Sequence, residues 1–148
     1  MTTLASNKRA NFDYLISDRY EAGLVLAGQE VKSIRLGHIS LKESFVVAKG
    51  TELYLINSHV TPYKQAGETK NYDPIRSRKL LLKKSEIKRI IGNLHSEGLT
   101  LVPIRVYTKK RLIKLEFGVG KGKKKFDKRQ DLAKKESSRK IERALKNY

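Results

Sequence analysis

Gly118-Val119-Gly120-Lys121-Gly122-Lys123-Lys124-Lys125-Phe126-Asp127-Lys128-Arg129 divides the chain into two unlike parts. Upstream, apolar segments recur that can share one core. Downstream, as far as Tyr148, charge dominates. From Lys121 onward there are 12 Lys/Arg against 4 Asp/Glu, a net of +8, and only 7 of the 28 residues are apolar, too few to drive burial. Three alternate glycines tolerate backbone angles that other residues avoid, which predicts a flexible joint. The reading is a folded unit over 1–120 and a basic tail over 121–148, disordered until a polyanion neutralises it.

Working outward from that joint, residues 111–117 alternate with Ile113, Leu115 and Phe117 inward, and Thr108-Lys109-Lys110 makes the preceding turn. Leu99–Tyr107 reads as a strand in which Pro103 requires an edge or a bulge. Ser85 can cap a helix bearing Ile87, Ile90, Ile91 and Leu94 at i, i+3, i+4 and i+7. Leu80-Leu81-Leu82 reads as a buried strand, and residues 58–79, with Pro62, Gly67 and Pro74, as a long loop. Leu41–Ala48 and Leu53–Asn57 form a hairpin about Lys49-Gly50-Thr51-Glu52. Gly28 to Gly37 is a helix capped by Gly37, with Gln29, Lys32, Ser33 and Arg35 on its polar side. Over 19–26, Tyr20, Ala22, Leu24 and Leu26 share one strand face, and Arg19, Glu21, Gly23 and Val25 the other. Residues 12–16 give a short strand after a basic lead-in over 1–11 that carries Lys8 and Arg9. About six short strands that do not alternate regularly with helices predict a mainly β protein. The expected form is a small antiparallel barrel of the oligonucleotide-binding type with two or three added helices.

The net charge is +18, of which +10 falls on residues 1–120, so folded part and tail are both basic. That distribution points to nucleic acid, a partner large enough to touch both. The absence of cysteine excludes disulfides, thiolate zinc sites and thiol nucleophiles. No apolar run approaches the roughly 20 residues of a membrane span, and the N-terminus lacks a signal-peptide pattern, so a cytoplasmic protein without a membrane partner is expected. His38, His59 and His95 lie in three separate segments, and no spacing pairs them for proton transfer or assembles a metal site. No enzyme, cofactor or metal is therefore expected. Glu21, in an otherwise basic chain, can accept hydrogen bonds from base amino groups or a ribose 2′-hydroxyl. Arg76, Arg78, Lys79, Lys83 and Lys84 form a second basic run suited to phosphates.

The order of these motifs resembles the SmpB family, the SsrA-binding proteins of bacterial trans-translation. The resemblance rests on Asn7-Lys8-Arg9-Ala10, Tyr20-Glu21-Ala22-Gly23-Leu24-Val25-Leu26 and Gly28-Gln29-Glu30-Val31-Lys32-Ser33-Ile34-Arg35. It continues through Asn71-Tyr72-Asp73-Pro74-Ile75-Arg76-Ser77-Arg78-Lys79-Leu80-Leu81-Leu82, Gly98–Pro103 and Gly122–Arg129. It implies a monomer that binds the tRNA-like domain of transfer-messenger RNA and acts with it on stalled 70S ribosomes, where the tail turns helical against ribosomal RNA. By the resemblance, the RNA-contacting positions fall on Glu21, Leu81 and Lys83, bordered by Glu30, Lys32, Ser33 and Arg35. Lys8, Arg9, Arg76, Arg78 and Lys79 join them as basic residues of the matched motifs. Decoding-centre contacts fall on Phe126, Asp127, Lys128 and Arg129, after Gly122, Lys123 and Lys124. Phe126 stands where histidine or tyrosine is common in the family, Lys83 where histidine or asparagine is, and Tyr72 where histidine is.

Overall fold

The structure, a computed structural model, describes residues 1–67, 71–94, 98–123, 128–130, 132–136 and 139. The strands are β1 (Thr2–Ser6), β2 (Tyr14–Leu24), β3 (Ile39–Ser40), β4 (Phe45–Lys49), β5 (Glu52–Ile56), β6 (His59–Val60), β7 (Arg78–Leu81), β8 (Leu99–Lys109) and β9 (Leu112–Gly122). The helices are α1 (Ala10–Asp13), α2 (Gly28–Arg35) and α3 (Lys84–Asn93), with a 3-10 turn at Lys64–Ala66. Strands β8, β4, β5, β7, β2 and β9 pair in that order, and β9 returns to β8, so six antiparallel strands close a barrel. Closure removes the exposed edges that an open sheet of this size would leave. The expected mainly β barrel with a few helices is what forms.

Alternation fills the interior. Ala22 from β2, Leu53 and Leu55 from β5, Leu80 from β7, Leu101 and Val106 from β8, and Leu115 and Phe117 from β9 are all buried. Ile34 of α2 and Ile87 and Ile90 of α3 add to the same core.

Several local expectations are corrected. The residues read as lead-in form β1, which pairs with the second half of β8. Residues 12–16 and 19–26 are not two strands: α1 runs into one long β2, broken by a register shift between Ile16 and Arg19. The long loop contributes β6, which pairs with β3 from before β4, and Tyr72 donates its hydroxyl to the Val60 carbonyl at 2.7 Å. Leu41 precedes β4 in a turn rather than starting it. Helix α3 begins at Lys84, so Ser85 lies inside it and caps nothing. The β8–β9 turn is Lys110-Arg111, with φ of +49° and +67°, because Lys109 still pairs with Leu112. Two left-handed residues suit the twist of a two-residue hairpin, though glycine or asparagine is the usual choice there. Pro103 sits at a bulge, the register shifting between Pro103 and Arg105. That is how a central strand tolerates a proline.

The largest correction concerns the three glycines. Gly118, Gly120 and Gly122 continue β9 between β2 and β8 rather than forming a joint. A Cβ on Gly118 would stand 2.6 Å from Ile16 Cγ2, and one on Gly120 3.0 Å from Val102 Cγ2. These glycines let neighbouring strands approach. The barrel therefore runs to Gly122, two residues past the expected boundary. Beyond it, the Lys123 amide donates to the Asp13 carbonyl at 2.8 Å, and residues 128–130, 132–136 and 139 are helical.

Candidate nucleic-acid interface

The strand registers bring one set of outward side chains into rows across β7, β2, β9 and β8. Leu81 pairs with Gly23, Gly23 with Lys114 and Lys114 with Tyr107. In the next row Glu21 pairs with Glu116, and Glu116 with Arg105. Sequence period two predicts the outward face of β2; the register then selects its neighbours.

Glu21 forms the β2 end of the second row and reaches across to the first. It accepts a hydrogen bond from the Tyr107 hydroxyl, and Lys109 Nζ lies 3.5 Å from both carboxylate oxygens. The Tyr107 bond, opposed by slight burial and helped by the charges of Lys109 and Lys114, holds the Glu21 carboxyl below the usual carboxylate range. Burial and the Glu21 carboxylate together push the Tyr107 hydroxyl far above its usual range. The pair is thus one ionised acceptor and one permanent donor. Arg105 lies over the Tyr107 ring at 4.3 Å, and Glu116 anchors both Arg105 and Arg19, at 3.5 Å and 3.2 Å.

Beside these rows lies a cleft of about 290 Å³. Leu81, Leu112 and Val31 give it apolar walls, and Arg35, Arg111 and Lys114 a basic rim. Leu81 is 52% exposed, unlike the buried residue expected in the middle of the Leu80-Leu81-Leu82 strand, because strand alternation turns it opposite to Leu80. Gly23 makes room for it: a Cβ there would stand 3.3 Å from that of Leu81. Arg35 donates to the Arg111 carbonyl at 2.9 Å and so holds the hairpin tip against α2. Exposed leucine ringed by cations suits a nucleotide, whose bases present apolar faces and whose phosphates are anionic.

Of the expected contact residues, Arg35 and Leu81 line this cleft, Glu21 lies in the neighbouring row of β2, and Lys83 is exposed just beyond β7. Lys79, half-buried, ion-pairs with Glu52 at 3.7 Å. Lys32 lies on α2 with its ammonium 5.6 Å from the Tyr63 ring centre. Glu30, Ser33 and Arg78 require correction: all three are buried and spend their polar atoms inside the protein. Arg78 Nε donates to Glu30 Oε2 at 2.6 Å, and its other nitrogens donate to the Ser58 and Pro74 carbonyls. Arg76 donates to Glu30 Oε1 at 2.5 Å and to the Val25 carbonyl at 3.2 Å, keeping part of its side chain exposed. The Ala27 amide donates to the same Oε1, half of a capping box at the start of α2. Ser33 donates to the Thr61 carbonyl rather than facing solvent. These residues tie α2 and β7 to the backbone at Ser58, Thr61 and Pro74.

Lys8 and Arg9 belong elsewhere. They line a separate groove of about 470 Å³ with Leu4, Ile39 and Lys42. Arg9 also lies over the Phe12 ring at 4.6 Å and pairs with Asp13. Of the tail residues, Lys128 lies 3.2 Å from Asp13, with its ammonium 5.9 Å from the Phe12 ring centre. Arg129 is exposed, and Gly122 and Lys123 end the barrel. Lys124, Phe126, Asp127 and His95 lie outside the described residues. Sequence reasoning missed Tyr107, Lys109, Arg111 and Lys114. Their signal was the outward face of the β8–β9 hairpin, which becomes readable once the pairing with β2 is known.

Residues 4–147 match the model of the family described as SmpB protein. An SsrA-binding protein of Alkaliphilus metalliredigens is 54% identical over 143 residues, 97% of this chain and 90% of the relative. One of Anoxybacillus flavithermus is 52% identical, covering 97% and 92%. A solved structure described as "tmRNA-SmpB: a journey to the center of the bacterial ribosome" aligns with a TM-score of 0.67 at 45% identity, over 81% of this chain and 84% of that one.

Proposed function

This chain belongs to the SmpB family, and from that premise we propose that it binds the tRNA-like domain of transfer-messenger RNA and delivers it to stalled ribosomes for trans-translation. The observation that carries the reading is the outer face of β7, β2, β9 and β8, where one held carboxylate, one exposed leucine and a basic rim converge. Glu21 supplies an acceptor, Leu81 an apolar contact, and Arg35, Arg111, Lys114 and Lys83 supply phosphate-neutralising charge. Glu30, Ser33 and Arg78 act as supports. Lys8 and Arg9 present a second basic site beside α1. The tail, through Lys123, Lys124, Phe126, Asp127, Lys128 and Arg129, occupies the vacant messenger channel and the decoding centre. The protein works as a cytoplasmic monomer and catalyses nothing. In support, Tyr107 and Lys109 keep Glu21 an ionised acceptor rather than a proton donor, and among the described residues no helix is long and apolar enough to cross a membrane.

Truncation tests the division of labour. A chain ending at Lys123 keeps every strand of the barrel. It is expected to bind the tRNA-like domain as the full chain does, and to support no tagging on stalled ribosomes. Tagging by the truncated chain, or loss of RNA binding, would refute the division.

A further inference from the structure

We propose that Tyr107 is a positioning residue: it fixes Glu21 as a hydrogen-bond acceptor, so that this surface selects an RNA group carrying N–H or O–H donors over a phosphate. The proposal rests on the RNA-binding role argued above and assigns the chemistry of one contact within it.

Tyr107 is 2% exposed, so its hydroxyl must find a partner within the protein. The partner is Glu21 Oε2. The ring cannot turn away freely, because Arg105 covers it and is itself held by Glu116 and by Thr3 Oγ1 at 3.2 Å. The Glu21 side chain is 37% exposed, so the carboxylate is anchored at its base and open at its rim. An ionised carboxylate offers about four lone-pair sites and no proton. Tyr107 uses one of them and Lys109 shares the group at 3.5 Å, which leaves lone pairs directed at whatever lies on the surface. A phosphate there would meet a fixed negative charge whose neighbouring donor, the Lys109 ammonium, is already shared with Glu21. A base edge with amino or imino hydrogens, or a ribose hydroxyl, would complete the carboxylate. In a molecule of net charge +18, attraction to phosphates is abundant; a pinned anion among those cations serves discrimination.

The test is a double-mutant cycle on the full-length chain, with binding to tRNA-like-domain RNA measured by fluorescence anisotropy against bulk tRNA and poly(U). Tyr107→Phe keeps the ring and removes the hydroxyl. It is expected to weaken binding to the tRNA-like domain by about tenfold and to lower preference over poly(U), in line with the loss of a positioned hydrogen-bonding contact. Glu21→Gln is expected to lose at least as much, and adding Tyr107→Phe to it to cost less than about twofold more, since the two act as one unit. Unchanged affinity in Tyr107→Phe, or additive losses in the double variant, would overturn the proposal. Should Tyr107→Phe fail to fold, Glu21→Asp draws the carboxylate back from Tyr107 while keeping its charge. It is expected to lose about tenfold for the same reason, and full binding by that variant would overturn the proposal. Repeating the comparison with 2′-fluoro RNA identifies the donor: a persisting effect of Tyr107→Phe assigns it to a base edge, a lost effect to the ribose. If the wild-type chain does not prefer the tRNA-like domain over bulk tRNA, the function itself fails. If it does and Tyr107→Phe retains that preference, only the role of Tyr107 fails.

Discussion

Glu30 is 1% exposed and binds two arginines, one of them, Arg78, itself fully buried. Burial alone would raise the Glu30 carboxyl; the hydrogen bonds from Arg76, the Ala27 amide and Arg78 outweigh it and hold it below its ordinary value. A depressed folded-state pKa gives stability that is present above the ordinary carboxylate value of 4.5 and is lost as pH falls through the folded-state value. Acid unfolding monitored by circular dichroism is therefore expected to set in below pH 4.5, and to become nearly independent of this group in Glu30→Gln. Glu30→Ala leaves Arg78 buried without its carboxylate and is expected to cost about 3–5 kcal/mol in urea unfolding. A cost below about 1 kcal/mol, typical of an exposed pair, would show that the guanidinium finds water or another acceptor. The sequence marks Glu30 and Arg78 as members of shared motifs, but motif membership does not separate a support from a contact. Only burial does.

Among elements, β9 carries the most consequence. Its first half was legible from alternation: Ile113, Leu115 and Phe117 are inward as expected. Its second half was not, because glycine gives no apolar signal and alternate glycines look the same in a joint and in a crowded strand. The distinction lies in what stands across the strand, here Ile16 and the Asp18 carbonyl against Gly118. Gly118→Ala is expected to destabilise the barrel by about 1–3 kcal/mol by overpacking, whereas a joint would accept alanine at no cost. Thermal melts of the two chains decide it. The short pairs β1–β8 and β3–β6 escaped sequence reading for a related reason: two to five residues with mixed polarity carry too little pattern. Glu21 was legible as a lone outward carboxylate on a β-period strand, but its partners Tyr107 and Lys109 lie 86 and 88 residues away and depend on register. For β7, Leu81→Ala removes an exposed side chain from the cleft. It is expected to weaken RNA binding several-fold while leaving the melting temperature within a few degrees, the behaviour of a contact rather than a core residue.

For the whole molecule, charge sets the strength of association and the β7–β2–β9–β8 face sets its choice. With a net charge of +18, affinity for RNA is expected to fall with salt at a slope of about −4 or steeper in log K against log salt, each neutralised phosphate contributing about −0.7 to −0.9. A flat titration would mean that the basic surface faces something other than a polyanion. Charge alone would bind any structured RNA, so preference is the sharper question. The most direct measurement is to isolate the full-length chain from bacterial cells at moderate salt and sequence the RNA that comes with it. One dominant species, transfer-messenger RNA, depleted when Glu21 and Leu81 are both replaced by alanine, is the expected result; a mixture in proportion to cellular tRNA and ribosomal RNA, indifferent to those replacements, would contradict it.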